Sequence, residues 1–400
     1  MTSFTEFALR ASSRKALEAL NIVEPTPIQS AAIPPLLERR DIIGQACTGS
    51  GKTLAFGLPL IERIDERNTA PQALVLAPTR ELAQQVGGVL KQMTAGTNIR
   101  LAILCGGQAI GPQQETLRRG CQIVVGTPGR ILDHLSRRSL RSDAVRYLVL
   151  DEADEMLDRG FAPDVERIIA TTSSERQTCL FSATTPEWVQ TVAARYLKSP
   201  LVIEMGSGAG DGLAIEHEVC EVWHDEKFNV LRRLLDQKTE GATLVFGRTK
   251  RGVRNLGEKL IRLGYAVDVI QGNLSQPQRD RVIKRFRDGS TPILVATNVA
   301  ARGLDVLHIE RVINYELPET HELFTHRVGR TGRMGRAGRA ITLLGPADLP
   351  KWHEIERGLG RKLPRVTPEG TAIPMVATAA VARTSSGRRI SRGRHFAFRT

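Results

Sequence analysis

One short stretch constrains this chain more than any other. Ala46-Cys-Thr-Gly-Ser-Gly-Lys-Thr53 lies between the apolar run 41–46 and an apolar helical pattern. Strand, glycine-rich loop and helix in that order form the context a phosphate-binding loop requires. The glycines let backbone N–H groups turn inward around phosphates, and the helix N-terminus adds a favourable dipole. Lys52 is suited to reach β- and γ-phosphates and Thr53 to ligate Mg2+, with Thr48, Gly49, Ser50, Gly51 and Leu54 completing the cradle. Ala46 stands where the general pattern has its first glycine, so that position carries no weight. A glycine-rich turn without a nucleotide is the competing reading, and the intact Gly51-Lys52-Thr53 argues against it.

Around this loop, short apolar runs alternate with longer amphipathic stretches. The pattern predicts strands at 41–46, 73–78, 99–105, 122–126, 147–151 and 178–182, with helices between them such as 80–93 and 186–197. Such alternation predicts an α/β parallel sheet covered by helices on both faces. The glycine-dense segment 206–212 breaks the pattern and reads as a flexible linker separating a first domain, 1–205, from a second, 213–365. Strands are predicted in the second near 218–223, 242–246, 266–270, 293–296, 312–315 and 340–344. The remainder, 366–400, places Arg383, Arg388, Arg389, Arg392, Arg394 and Arg399 among Ser and Gly. It offers too little apolar surface to offset ordering entropy, which predicts a disordered basic tail. An extra RNA-binding segment and a solubilising end both remain open for it.

The net charge of +13 implies a polyanionic partner, although charge alone does not separate nucleic acid from a membrane surface or an acidic protein. Aromatic residues make up 4 %, so backbone contacts are expected to outweigh base stacking. Cys47, Cys105, Cys121, Cys179 and Cys220 are scattered singly, which supports neither a zinc site nor a disulfide framework. No apolar run approaches the roughly 20 residues of a membrane span, and the opening residues lack a secretory pattern. A soluble, cytoplasmic protein is the expectation.

Two further groups carry chemistry. Tyr147-Leu-Val-Leu-Asp151-Glu152 ends an apolar strand in two carboxylates. Strand C-termini border the ligand crevice of such sheets, so Asp151 would hold Mg2+ and Glu152 would orient and deprotonate an attacking water. The second domain has no Gly-Lys-Thr but offers His326-Arg-Val-Gly-Arg-Thr-Gly-Arg333. Arg330 and Arg333 would complete a cleft that hydrolyses ATP only when closed. A basic surface helix is the simpler alternative for these arginines.

From Phe4 to about Arg365 the chain resembles the DEAD-box RNA helicases. The motifs occur in family order: Pro25-Thr-Pro-Ile-Gln29, the phosphate loop, Pro78-Thr-Arg-Glu-Leu-Ala83, Gly106-Gly107, Thr127-Pro-Gly-Arg130, Asp151-Glu-Ala-Asp154 and Ser182-Ala-Thr184. Val245-Phe246 with Thr249, Gln276-Pro-Gln-Arg279, Ala301-Arg-Gly-Leu-Asp305 and the arginine motif follow in the second half. The resemblance implies two tandem RecA-like domains and RNA-stimulated ATP hydrolysis that pries open short duplexes or remodels RNA–protein complexes. It implies that Gln29 reads adenine with Phe4 packed behind it, and that Asp305 meets the ribose. Asp154, Ser182, Thr184 and His326 would couple the ATP site to closure. RNA contacts would come from Pro78, Thr79, Arg80, Gly106, Gly107, Thr127, Gly129 and Arg130, and from Thr249, Gln276, Arg279, Thr297, Arg302 and Gly303. These mostly touch phosphate and sugar, so single-stranded RNA and short duplexes would be bound with little sequence preference.

Four positions depart from the family pattern: Asn21 and Ile22 where a glycine and an aromatic are usual, Gln271 for a histidine and Asn298 for an aspartate. Ile22 cannot stack on adenine, which predicts weaker nucleotide binding. A DNA helicase of the same superfamily and an ATP-gated RNA clamp with little unwinding are the alternatives. Ribosome assembly, message decay and cold adaptation all suit a compact core with a basic tail, and a monomer is the default.

Overall fold

Ala73–Leu76, Ile123–Gly126 and Tyr147–Leu150 are apolar and buried at every position, as central strands covered on both faces must be. The structure, a computed structural model, describes residues 3–46, 49–205, 215–223, 225–301, 304, 306, 308–332, 336–367 and 372–373. In chain order the first sheet contains β1 (Ile42–Gln45), β2 (Ala73–Leu76), β3 (Leu101–Leu104), β4 (Ile123–Gly126), β5 (Tyr147–Leu150), β6 (Gln177–Ser182) and β7 (Leu201–Glu204). All pairings are parallel and the order is β3-β4-β2-β5-β6-β1-β7. One apolar cluster on each face fills the space beneath the helices.

The second sheet repeats that winding. Its strands are β8 (Ile215–Glu221), β9 (Ala242–Gly247), β10 (Val267–Ile270), β11 (Ile293–Thr297), β12 (Ile309–Asn314), β13 (Gly338–Leu344), β14 (Arg365–Val366) and β15 (Ala372–Ile373). Their order is β10-β11-β9-β12-β13-β8-β14-β15. From β10 to β8 this matches the first sheet strand for strand, so β8 takes the place of β1 and β13 that of β6. Parallel winding gathers every strand C-terminus along one edge of each sheet. Every motif named above that follows a strand therefore emerges at one of those two edges.

The expected strands are all present, shifted by a few residues at their ends. Three short strands were not expected. β7 has a mixed burial pattern because it lies at an edge, where the apolar signal is weak. β14 and β15 correct the boundary placed at residue 365: Val366 pairs beside Cys220 on β8, and Ala372 returns antiparallel against Val366. Covering the exposed edge of β8 satisfies backbone groups that would otherwise face water, a gain no local pattern announces. The linker expected at 206–212 and the tail beyond Ile373 lie outside the described residues.

Candidate active site and nucleic-acid interface

The phosphate loop is held from outside by the start of a neighbouring helix. Thr26 caps Pro27–Leu37, its backbone N–H donating to Gln29 Oε1 at 2.9 Å. Thr26 Oγ1 donates to Ser50 O at 2.8 Å, and Gln29 Nε2 donates to Gly51 O at 3.0 Å. Gly49 and Gly51 take φ of 85° and 94°, and a Cβ on Gly51 would collide with the Gln29 amide. Lys52 opens helix Lys52–Glu62 and is buried, its Nζ donating to Ala46 O at 2.9 Å across the loop. Thr53 and Leu54 follow in the first turn, and Thr48 lies outside the described residues. Phe4 is buried in the first core, edge-on to Phe7 at 5.8 Å, and Ile22 packs against the same cluster.

Asp151 follows β5, with Glu152 next in a left-handed conformation, φ 52°. Both are buried, and Asp151 Oδ1 and Glu152 Oε2 have no hydrogen-bond partner among the described residues. Burial raises the Asp151 carboxyl, opposed by the Lys52 charge. Burial, then Glu155 and Asp151, push Glu152 up to about 7 against the pull of Lys52 and Arg330. Lone buried carboxylate oxygens are costly unless something is meant to meet them.

Asp154 is the opposite case, a carboxylate with every oxygen in use. Oδ2 accepts from Ala183 N (3.2 Å), Thr184 N (2.9 Å) and Thr184 Oγ1 (3.0 Å), and Oδ1 accepts from Glu155 N at 3.0 Å. Its own N–H donates to Ser182 Oγ at 3.2 Å. From the second sheet, His326 Nε2 stands 3.8 Å from Oδ2. Burial works to raise the Asp154 carboxyl, but the neighbouring His326 ring, with the Lys52 charge and the Thr184 backbone bond, holds it at about 2.

Other bonds join or brace the halves. Arg279 Nε meets Glu81 Oε1 at 2.6 Å across the interface. Arg330 is buried, donates to Leu304 O at 3.0 Å, and its charge reaches Glu152. Arg327, buried beneath it, donates to Asn314 Oδ1 (3.1 Å), to Glu316 O (2.6 Å) and to Asn298. Asn298 is thus a neutral acceptor for a guanidinium that burial lowers to about 9. Arg333, Arg302, Gly303 and Asp305 lie outside the described residues.

The residues expected on RNA gather at the strand C-terminal edges. Thr79 and Thr249 cap helices Arg80–Met93 and Lys250–Arg262, accepting from Leu82 N (3.1 Å) and Gly252 N (3.0 Å), so each domain presents one capped helix N-terminus there. Pro78 immediately precedes the first cap. Thr127 precedes helix Pro128–Ser136, from which Arg130 reaches Gln108 O (3.2 Å) and Gln113 Oε1 (3.1 Å). Gly107, φ 67°, lies against the Arg80 guanidinium, whose Nη2 is buried without a partner among the described residues. A Cβ added to Gly106 or Gly129 would meet nothing within 4 Å. Thr297 is buried at the end of β11, and Gln276 donates to Asp280 at 2.8 Å. Thr26, Glu81, Glu155 and Arg327 were missed. Thr26 alone had a local signal, since Thr-x-x-Gln before an apolar run is capping-box spacing.

Two sheets of one winding, with one phosphate loop on the first and His326 and Arg330 of the second brought to its carboxylates, define a tandem RecA-like protein. Residues 26–192 match the DEAD/DEAH box helicase family and 226–335 the helicase conserved C-terminal domain. The chain is 45 % identical to the DEAD-box ATP-dependent RNA helicase CshA of Geobacillus kaustophilus, over 92 % of this chain and 79 % of that one. It superposes on S. cerevisiae Dbp5 bound to RNA and ADP BeF3 with TM-score 0.84 and 32 % identity, covering 92 % and 96 % of the two chains. A DEAD box protein from Methanococcus jannaschii is 40 % identical over 92 % and 99 %, with TM-score 0.56. The chain belongs to the DEAD-box ATP-dependent RNA helicases, whose ATPase is stimulated by RNA.

Proposed function

We propose that ATP is hydrolysed in the cleft between the two sheets and that RNA lies across both strand C-terminal edges, bent and locally unwound when the cleft closes. The contact of His326 with Asp154 carries this reading, because it ties the second domain to a carboxylate that also holds Thr184 and Ser182. High similarity to an RNA- and nucleotide-bound relative supports the closed arrangement. Lys52, with Gly49, Ser50, Gly51 and Thr53, would hold the phosphates, Gln29 would meet adenine, and Arg330 with Arg333 would face the γ-phosphate.

Asp151 and Thr53 fit Mg2+. The unpartnered Asp151 oxygen is a hard donor, and no group of three or more His, Cys, Asp or Glu forms a metal cage among the described residues. That suits a cation held largely by phosphate and water, which supplies charge neutralisation when bound. No helix among the described residues is long and apolar enough to cross a membrane. A monomer acting in the cytoplasm on ribosomal or messenger RNA is the simplest setting for this reading.

The first test is ATP hydrolysis with and without single-stranded RNA at fixed salt. Strong stimulation that disappears in Lys52→Ala is expected, and turnover indifferent to RNA would refute the coupling. Gly107→Ala should weaken RNA binding roughly fivefold to thirtyfold, since a left-handed non-glycine residue costs about 1–2 kcal/mol. The added carbon would also displace Arg80, whose Cζ lies 2.7 Å from its position. Fluorescence anisotropy with labelled RNA measures this directly.

Closure should also depend on pH. Burial works to lower His326, but the ionised Asp154 beside it, backed by Glu155, raises it above its usual 6.5 despite Arg330. Glu322 also faces it and adds negative charge. A group raised in the closed state stabilises that state fully below its ordinary pKa and stops doing so as pH rises through the raised value. Asp154, at about 2, stays ionised throughout. RNA affinity with a non-hydrolysable nucleotide should therefore fall as pH climbs above neutral, and His326→Gln should flatten that slope.

A further inference from the structure

The second sheet has its own crevice. At the C-terminal ends of β8 and β13 lies a cavity of about 280 Å³, lined by Glu221, Val222, Trp223, Leu344, Pro346 and Leu349. These strands hold the places of β1 and β6, whose C-terminal ends in the first sheet carry the phosphate loop and Ser182. Crevices at strand C-termini are where ligands settle in open α/β sheets. This one is not built for phosphate. No glycine-rich loop follows β8, and the buried Lys227 is occupied by Asp348 at 2.7 Å. Its wall is instead aromatic: Trp223 is 67 % exposed, whereas Trp352 is fully buried.

The charge at the rim is acidic. Arg365 meets Glu221 at 3.2 Å, and Lys227 satisfies Asp348. Asp225 and Glu226, exposed just past Trp223, take part in no ion pair among the described residues. In a chain of net charge +13, such a patch disfavours RNA and favours a basic segment with an apolar side chain.

We propose that the segment Arg394-His-Phe-Ala-Phe-Arg399 of this same chain docks in the cavity, with Phe396 or Phe398 against Trp223 and the flanking arginines facing Asp225 and Glu226. Those are the only Phe, Tyr or Trp residues after Ile373, and no acidic residue follows Glu369. The chain also leaves from the right edge. β14 pairs with β8, in register Val366↔Cys220, and β15 turns back beside β14. Ile373 is thus two strand spacings from β8, about 10 Å, and level with Val219, two residues short of its end at Glu221, about 7 Å. A random-coil chain of the length of 374–395 spans about 26 Å root mean square. A tether longer than the gap it must span still gives an effective concentration in the millimolar range, so even a weak docking contact is populated. Docking is independent of the ATPase reading.

The 400-residue protein carrying the photo-reactive benzoyl-phenylalanine in place of Phe398 tests this. Irradiation at low protein concentration should cross-link it within one chain to segments 221–227 or 344–349, and Trp223→Ser should abolish that product. In parallel, Phe396→Ser with Phe398→Ser should speed hydrogen exchange in those two segments and nowhere else in the second domain. Cross-links to another copy, to the first domain or to added oligouridine would overturn the proposal. Unchanged exchange in the double variant would do so as well.

Discussion

Glu152→Gln is expected to lower RNA-stimulated turnover by at least about 10²-fold, within the range for removing a positioned general base. Binding of ATP and RNA should survive. Glutamine keeps the shape of a side chain that is buried at the end of β5 and has one oxygen unpartnered among the described residues. Glu152 also stands against the negative charges of Glu155 and Asp151. Neutralising it relieves repulsion in the closed cleft, so the variant should hold RNA longer in the presence of ATP than the wild type does. Steady-state hydrolysis and the dissociation rate of labelled RNA separate the two effects. A variant that turned over normally would remove Glu152 from the chemistry, while one that also lost RNA binding would make its role structural.

Asp154→Asn should cost nearly as much for a different reason. The carboxylate takes three hydrogen bonds on Oδ2 and one on Oδ1, all from donors. An amide must turn its NH2 toward one of those sets, setting donor against donor, and it abandons the charge that draws His326 across the interface. Breaking a buried charged pair on one side costs about 3–5 kcal/mol, or about 10²-fold and more in the population of the closed state. RNA-stimulated hydrolysis should fall by that order. Nucleotide binding to the first domain should change little, because the phosphate loop makes its own bonds with Thr26 and Gln29. Thr184→Ala removes one of the Asp154 donors and should lie between the variant and the wild type. Equal losses in both variants would argue against closure as the shared cause.

The elements themselves were legible in the residues. An amphipathic run predicted helix 80–93, and the structure has Arg80–Met93. Apolar runs located the central strands because burial on both faces leaves only apolar side chains, and the glycines around Lys52 fixed the loop through a backbone geometry few other residues adopt. The Arg/Ser/Gly-rich segment read as a tail lies outside the described residues beyond Ile373, and β14 and β15 join the sheet past the boundary placed at 365.

What the tertiary structure alone decided are the meetings between distant residues. Arg279 belonged by its motif to the RNA track, yet it pairs with Glu81 of the other domain. Asp154 is strongly acidic because His326 arrives from the second sheet, and Arg327 relies on Asn298 and Asn314 rather than a carboxylate. Local sequence sets backbone propensity and which face is apolar, because those depend on neighbours a few positions away. Hydrogen bonds need contact distances and charge–charge energies are screened over about 10 Å, so they are fixed only once the two sheets have docked at a particular distance and angle.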